Sequence, residues 1–373
     1  MTRREFLDHG AHLALGVGAL QAGMGRLAFA NWLRLPDLVE KPALPACVVL
    51  TADEFALGND AITAAWSIAG GVFRPVRISD GLNGAALPVP AHAFTVTLAD
   101  KSTIAGGDMR ITTLPRMEAL TANPRASRLA ERSMGRSVTL TLQDASGRVE
   151  AVWRALLRDG SRYIRQELTL RALGADVPLR EITLLDFNAP NATVTGTGPG
   201  TPIVVGNAFF GFEHPLATNG LDADRVRCRM SRTLPLRRGT ALTVSSVTGV
   251  TRQGQMRRDF LTYVERERAH PFRTFLHYNS WYDLGYFSGY DEAAALAAIA
   301  AFGTELHQKR GVTLDSYLFD DGWDDPKTLW HFNAGFPAGF ANVAEATHRY
   351  GAAPGVWMSP WGGYGEPRDQ RIA

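Results

Sequence analysis

Cysteine is nearly missing: Cys47 and Cys228 are the only two in 373 residues, and CxxC spacing is absent. That excludes a disulfide-built scaffold and leaves two outcomes open, a single Cys47–Cys228 bridge or two free thiols. An excess of one charge is missing too. Lys plus Arg number 39 against 37 Asp plus Glu, so the chain offers no strong field for nucleic acid or an acidic membrane, and a neutral partner is expected. No apolar run reaches the roughly 20 residues a spanning helix needs, so a soluble mature chain is expected. There is no GxSxG elbow and no HExxH helix. His277 and His331 have no second histidine at zinc spacing, and the acidic residues fit no calcium loop, so neither metal nor cofactor is expected. Gly16, Gly18 and Gly23 follow no strand, which removes a nucleotide loop from consideration.

What is present begins with an address. Residues 2–7 read TRREFL, residues 13–20 are weakly apolar and glycine-rich, and Ala28, Phe29 and Ala30 form a small-residue cleavage site. Consecutive arginines, apolar run and AxA site in that order predict a twin-arginine signal over residues 1–30 and a periplasmic or secreted mature chain, free of the membrane once the signal is removed.

Two regimes follow. From about residue 45 to 256 the apolar residues fall in short alternating or β-branched runs such as CVVLTAD, SVTLTLQD, REITLLDF and ALTVSSVTGV, punctuated by Gly, Pro, Asn and Asp. This predicts an antiparallel β-sandwich. Residues 257–270 read as a linker helix, centred on DFLTYVERER at 259–268. Beyond 271, strands at 273–279, 314–320 and 355–359 alternate with helices at 291–310 and 338–350, the first capped by Ser288 and closed by Gly311. That order predicts parallel strands with right-handed crossovers. The expected class is α+β multidomain, a sandwich followed over residues 271–373 by the first part of a (β/α)8 barrel. A complete barrel takes about 250 residues, so the chain reads as stopping partway; a small open α/β layer is the alternative.

Ligands of parallel α/β layers bind beyond the carboxyl ends of the strands, which makes the residues there the informative ones. After the first strand come Asn279, Ser280, Trp281 and Tyr282; after the second, Asp320, Asp321, Gly322 and Trp323; after the third, Trp357, Met358, Ser359, Pro360 and Trp361. Tryptophan faces pack on the C–H faces of sugar rings and carboxylates accept from hydroxyl pairs, so the mixture suits a carbohydrate. The expected binding set is Asp320, Asp321, Trp281, Trp323, Trp357 and Trp361. Asp324 and Asp325, just before Pro326, read as solvated turn residues.

NSWY at 279–282, LFDDGW at 318–323 and PGVWMSPW at 354–361 resemble the first three strand ends of the α-galactosidase clan of glycoside hydrolases, which includes melibiases and raffinose-synthase-like enzymes. IVVGNAFFGFEHP at 203–215 is similar to part of the sandwich that precedes the barrel in bacterial members. The resemblance implies that Asp320 and Asp321 accept the galactose 4- and 6-hydroxyls, with Trp281 beside them. It also implies a retaining mechanism with an aspartate nucleophile and a second carboxyl as acid and then base. In the clan those two follow the fourth strand and later ones, expected beyond residue 373, so neither role falls to Asp320 or Asp321. Ser359 and Trp361 stand where many relatives carry acids. The expected ligand is a galactoside or oligosaccharide. The rivals are a sugar-binding protein without catalysis and a raffinose-synthase-type transglycosylase.

Overall fold

A computed structural model describes residues 45–373 apart from 199, 286 and 287. The expected signal at residues 1–30 lies outside the described residues. The chain divides into two compact units, one ending at Pro271 and the other running Phe272–Ala373. Among the described residues no helix is long and apolar enough to cross a membrane.

Among the described residues the first unit holds two sheets of five strands and one of eight, with every strand pair antiparallel. Period-two alternation builds it. In the strand Val149–Arg158, Val149, Ala151, Trp153, Ala155 and Leu157 are buried, while Glu150, Arg154 and Arg158 alternate with them on the other face. Trp153 pairs across to Leu140 and Leu168 and meets Trp66 and Phe73 edge-on, each at 4.9 Å between ring centroids. Slipping this strand by one residue would drive Arg154 into that aromatic cluster, which pins the register. Both thiols are free: Cys228 is buried in the core and Cys47 lies exposed on the edge strand Cys47–Leu50.

The helix Met256–Glu267 (α1) belongs to this unit by its packing. Phe260 and Tyr263 cover Phe209 at 5.1 and 5.3 Å. A buried polar group completes the seam, in which Arg165 pairs with Glu213 at 2.9 Å and the Tyr263 hydroxyl donates to Glu213 at 2.6 Å. A buried arginine with its carboxylate fully bonded is tolerated; either partner alone would be costly.

The second unit is built on a three-stranded parallel sheet in the order β1 (His277–Asn279), β2 (Ser316–Phe319) and β3 (Ala353–Val356), with a short antiparallel pair, Asp324–Asp325 and His331–Phe332, beside it. Crossover helices α2 (Glu292–Phe302) and α3 (Ala341–Arg349) connect the strands, and α4 (Gly365–Ile372) follows the third. The first two strands and both crossover helices are shorter than the sequence pattern suggests, the third strand starts two residues earlier than expected and ends at Val356, and α4 has no counterpart in the sequence pattern. The α2 cap is Asp291, whose Oδ1 accepts from Ala294 N at 2.9 Å; Ser288 does not cap it, because the extended backbone at 291 starts the helix three residues later. Beyond Phe302 the helix widens into a π-type turn, Gly303–Gln308. A Cβ on Gly303 would lie 2.3 Å from the Tyr350 ring, so glycine allows the close approach there. Tyr278, Tyr317, Phe319, Ile299 and Val343 fill the core between sheet and helices.

Candidate functional site

The carboxyl ends of β1, β2 and β3 open on a cleft of about 410 Å³. Its polar floor is Asp320, Asp321 and Asn279, and its walls are Trp281, Tyr282, Trp357 and Tyr364. A lattice of directional hydrogen bonds fixes the floor. Asn279 accepts from Trp281 N through Oδ1 at 2.8 Å, which orients its amide so that Nδ2 donates to Asp320 Oδ2 at 3.1 Å. Asp320 Oδ1 accepts from the Asp321 backbone N at 2.9 Å. The Asp320 main chain is held by the Ser280 hydroxyl, which accepts from Asp320 N at 2.8 Å, and by the Tyr290 hydroxyl, which donates to Asp320 O at 2.8 Å. Burial, and then the nearby Asp320, Asp321 and Asp324 carboxylates, raise the Tyr290 phenol well above its ordinary range against a lowering bond from Ser280. Tyr290 therefore stays a donor at neutral pH.

Gly322 makes the turn after the acids. Its φ of 112° lies in the left-handed half of the map, and a Cβ there would sit 2.4 Å from Ser288 O. With no side chain, the strand end bends while Gly322 O accepts from Tyr290 N at 3.2 Å and from Asn333 Nδ2 at 3.0 Å.

That turn corrects part of the expected set. Trp323 points into the core: it is buried, stacks on Trp330 at 6.1 Å and donates its Nε1 to Trp357 O at 3.1 Å. It supports the third strand end instead of lining the cleft. Trp361 is exposed and lies outside the lining. Tyr364 lines the cleft from the same segment, stacked on Trp357 at 6.0 Å with a 27° interplanar angle. Trp281, Trp357, Asp320 and Asp321 line the cleft together. Tyr282, which the sequence places after the first strand and in NSWY without a binding role, and Tyr364 join them.

Asp324 is also corrected. It is buried and ion-paired: Arg371 donates from Nε to its Oδ2 at 2.7 Å and from Nη2 to its Oδ1 at 2.8 Å. The same Nη2 reaches Asp321 Oδ1 at 2.5 Å. Burial works to lower the Arg371 pKa, but the bonds to Asp324 and Asp321 outweigh it, so the guanidinium stays charged. Asp325 keeps its turn role, accepting from Lys327 N at 3.0 Å. His277 and His331 are exposed, and among the described residues no group of three His, Cys, Asp or Glu could hold a metal.

A larger depression of about 680 Å³ lies against Tyr290, Asp291, Asp324 and Asp325. Its carboxylates are already committed, Asp291 to the α2 cap and Asp324 to Arg371, whereas the smaller cleft presents carboxylate oxygen beside aromatic faces. The smaller cleft can accept hydrogen bonds from adjacent hydroxyls and stack a ring.

No family model and no curated protein matches the sequence. The fold does match. Over most of its length the chain has the fold of solved glycoside hydrolases of the α-galactosidase type. Among these is the GH36 α-galactosidase AgaB from Geobacillus stearothermophilus, at TM-score 0.54 and 16% identity, covering 84% of this chain and 57% of that one. The α-galactosidase from Lactobacillus brevis matches at TM-score 0.51 and 16% identity, covering 84% of this chain and 56% of that one. A variant of AgaA from Geobacillus stearothermophilus, solved with 1-deoxygalactonojirimycin, matches at TM-score 0.52 and 15% identity, covering 83% of this chain and 56% of that one. The chain thus spans little more than half the length of these structures, and at such identities the likeness is one of fold.

Proposed function

We propose that this chain supplies a sugar subsite of an exported glycoside hydrolase of the α-galactosidase type, acting on terminal α-galactosyl or related α-linked sugars. In this reading the three-stranded layer is the opening part of a (β/α)8 barrel, and residues 1–30 direct the chain to the periplasm or beyond. The observation that carries the reading is the pair of adjacent carboxylates, Asp320 and Asp321, set between aromatic faces at one cleft. Their oxygens accept from neighbouring ring hydroxyls, and Trp281 and Trp357 pack on the C–H faces. The 1-deoxygalactonojirimycin held by AgaA supports that sugar class.

The catalytic pair is assigned to no residue of these three strand ends. A retaining pair needs two carboxyls about 5 to 5.5 Å apart, one free to attack and one free to carry a proton. Asp321 and Asp324 are both tied to Arg371, which suits holding a ligand and not attacking one. A second reading, a protein that binds galactosides without cleaving them, uses the same cleft. A raffinose-synthase-type transglycosylase shares this subsite and differs in the acceptor.

Calorimetry of the chain with galactose and with its C4 epimer glucose tests the subsite: galactose binds and glucose binds weaker. Absence of galactose binding overturns the reading. Product analysis with raffinose, with and without acceptor sugars, separates hydrolysis, transfer and binding alone.

A further inference from the structure

We propose that Arg371 is a positioning residue that aims the Asp321 carboxylate into the cleft, an inference that rests on the sugar-site reading above. Arg371 stands near the end of α4, with 1% of its side chain exposed, and its donors are distributed over three acceptors. Nε and Nη2 grip Asp324, whose side chain is fully buried. Nη1 donates to Gly362 O at 3.0 Å, and Nη2 also reaches Asp321. The guanidinium carbon lies 4.3 Å from the centroid of the Trp330 ring, which closes one face.

The socket is built for this side chain. Gly363 has φ 98°, and a Cβ there would lie 2.8 Å from Arg371 Nη1; at Gly362, with φ 84°, a Cβ would lie 2.7 Å from Ile372. The two adjacent glycines let the backbone close over the arginine, and the same segment then delivers Tyr364 to the cleft wall.

The consequence falls on Asp321. Arg371 takes its Oδ1, and no described residue donates to its Oδ2. Asp320 differs: Asp321 N donates to its Oδ1 and Asn279 to its Oδ2, so each of its oxygens meets a ligand with its remaining acceptor site. Asp321 therefore has one carboxylate oxygen fixed from behind and one left for a ligand hydroxyl. Asp324, without a place in the cleft lining, is the anchor that keeps the guanidinium in register. The planar fork grips Asp324 through two nitrogens while one of them reaches Asp321; a lysine ammonium has one nitrogen and cannot hold that fixed two-point geometry.

The test is a calorimetric cycle with galactose on the full chain, using wild type, Arg371→Lys, Asp321→Asn and the double variant, with thermal melts alongside. Arg371→Lys weakens galactose about tenfold while melting cooperatively, because the charge stays and the fork is lost. Combined with Asp321→Asn it adds little, as expected for two residues acting through one contact. Should Arg371→Lys fail to fold, Asp324→Asn takes its place, as it removes the anchor and leaves the Asp321 bond; it weakens galactose by a smaller factor. Wild-type affinity in the folded variant, or full additivity in the cycle, overturns the inference. If wild type itself binds no galactose, the sugar reading fails separately. A crystal structure of the Arg371→Lys chain then decides the positioning role: a turned Asp321 carboxylate supports it and an unmoved one overturns it.

Discussion

Replacing Asp320 by asparagine keeps the shape of the side chain and breaks the logic of the floor. The bonds there run one way: Trp281 N donates to Asn279 Oδ1, Asn279 Nδ2 donates to Asp320 Oδ2, and Asp321 N donates to Asp320 Oδ1. Both neighbours of residue 320 are donors, so both of its terminal atoms must accept. A carboxylate does this; an amide offers one acceptor and one donor. Whichever way the new amide faces, its NH2 meets an N–H. Asn279 cannot flip to relieve the conflict without surrendering its bond to Trp281 N. The loss of one acceptor in this half-buried setting costs about 1 kcal/mol of stability. Loss of the charged acceptor for a ligand hydroxyl costs about 1.5 to 3 kcal/mol of binding, a weakening of roughly tenfold to a hundredfold. Calorimetry with galactose reads the second figure and a circular-dichroism melt the first. Unchanged affinity together with an unchanged melting temperature would refute the reasoning, since neither the polarity of the network nor the role of the charge would then matter.

Three further outcomes are expected. Gly322→Ala forces a side chain into a positive-φ position against Ser288 O and costs about 1 to 3 kcal/mol or more, read by thermal melting of the second unit; a neutral result would mean the turn relaxes freely. Trp153→Ala empties the centre of the aromatic cluster and destabilises the first unit by about 3 to 5 kcal/mol in urea titration, and a loss under 1 kcal/mol would contradict the packing described. Burial pushes the Cys228 thiol from its ordinary 9.0 up to about 12, so at pH 8 a disulfide reagent titrates the exposed Cys47 alone until denaturant is added. The folded state there holds a proton that the unfolded state releases, so this contribution to stability is whole below about pH 9 and falls as pH rises toward 12; prompt reaction of both thiols without denaturant would count against it.

Much of the architecture was written in local pattern. Period-two runs predicted the antiparallel strands of the first unit, because a half-buried strand must send alternate side chains to opposite faces. The alternation after residue 271 likewise announced strands and crossover helices, although their ends came shorter. Helix boundaries depend on which polar group wins the cap, and Asp291 outbid Ser288 through a contact that spacing does not reveal.

The sequence alone determined that acids and tryptophans follow consecutive strands, since that is a matter of order along the chain. Only the tertiary structure decided which of them share a cleft. Trp323 and Trp357 are indistinguishable as residue types, yet the left-handed turn at Gly322 sends the first into the core, and its Nε1 then props the backbone of the second. Asp324 read as a solvated turn residue because its partner, Arg371, lies far along the chain in a polar segment, GEPRDQRI, with no periodicity to mark it. Burial of a charge is set by the ion that meets it in space, and that meeting depends on how α4 folds back under the second strand end, information that no local pattern carries.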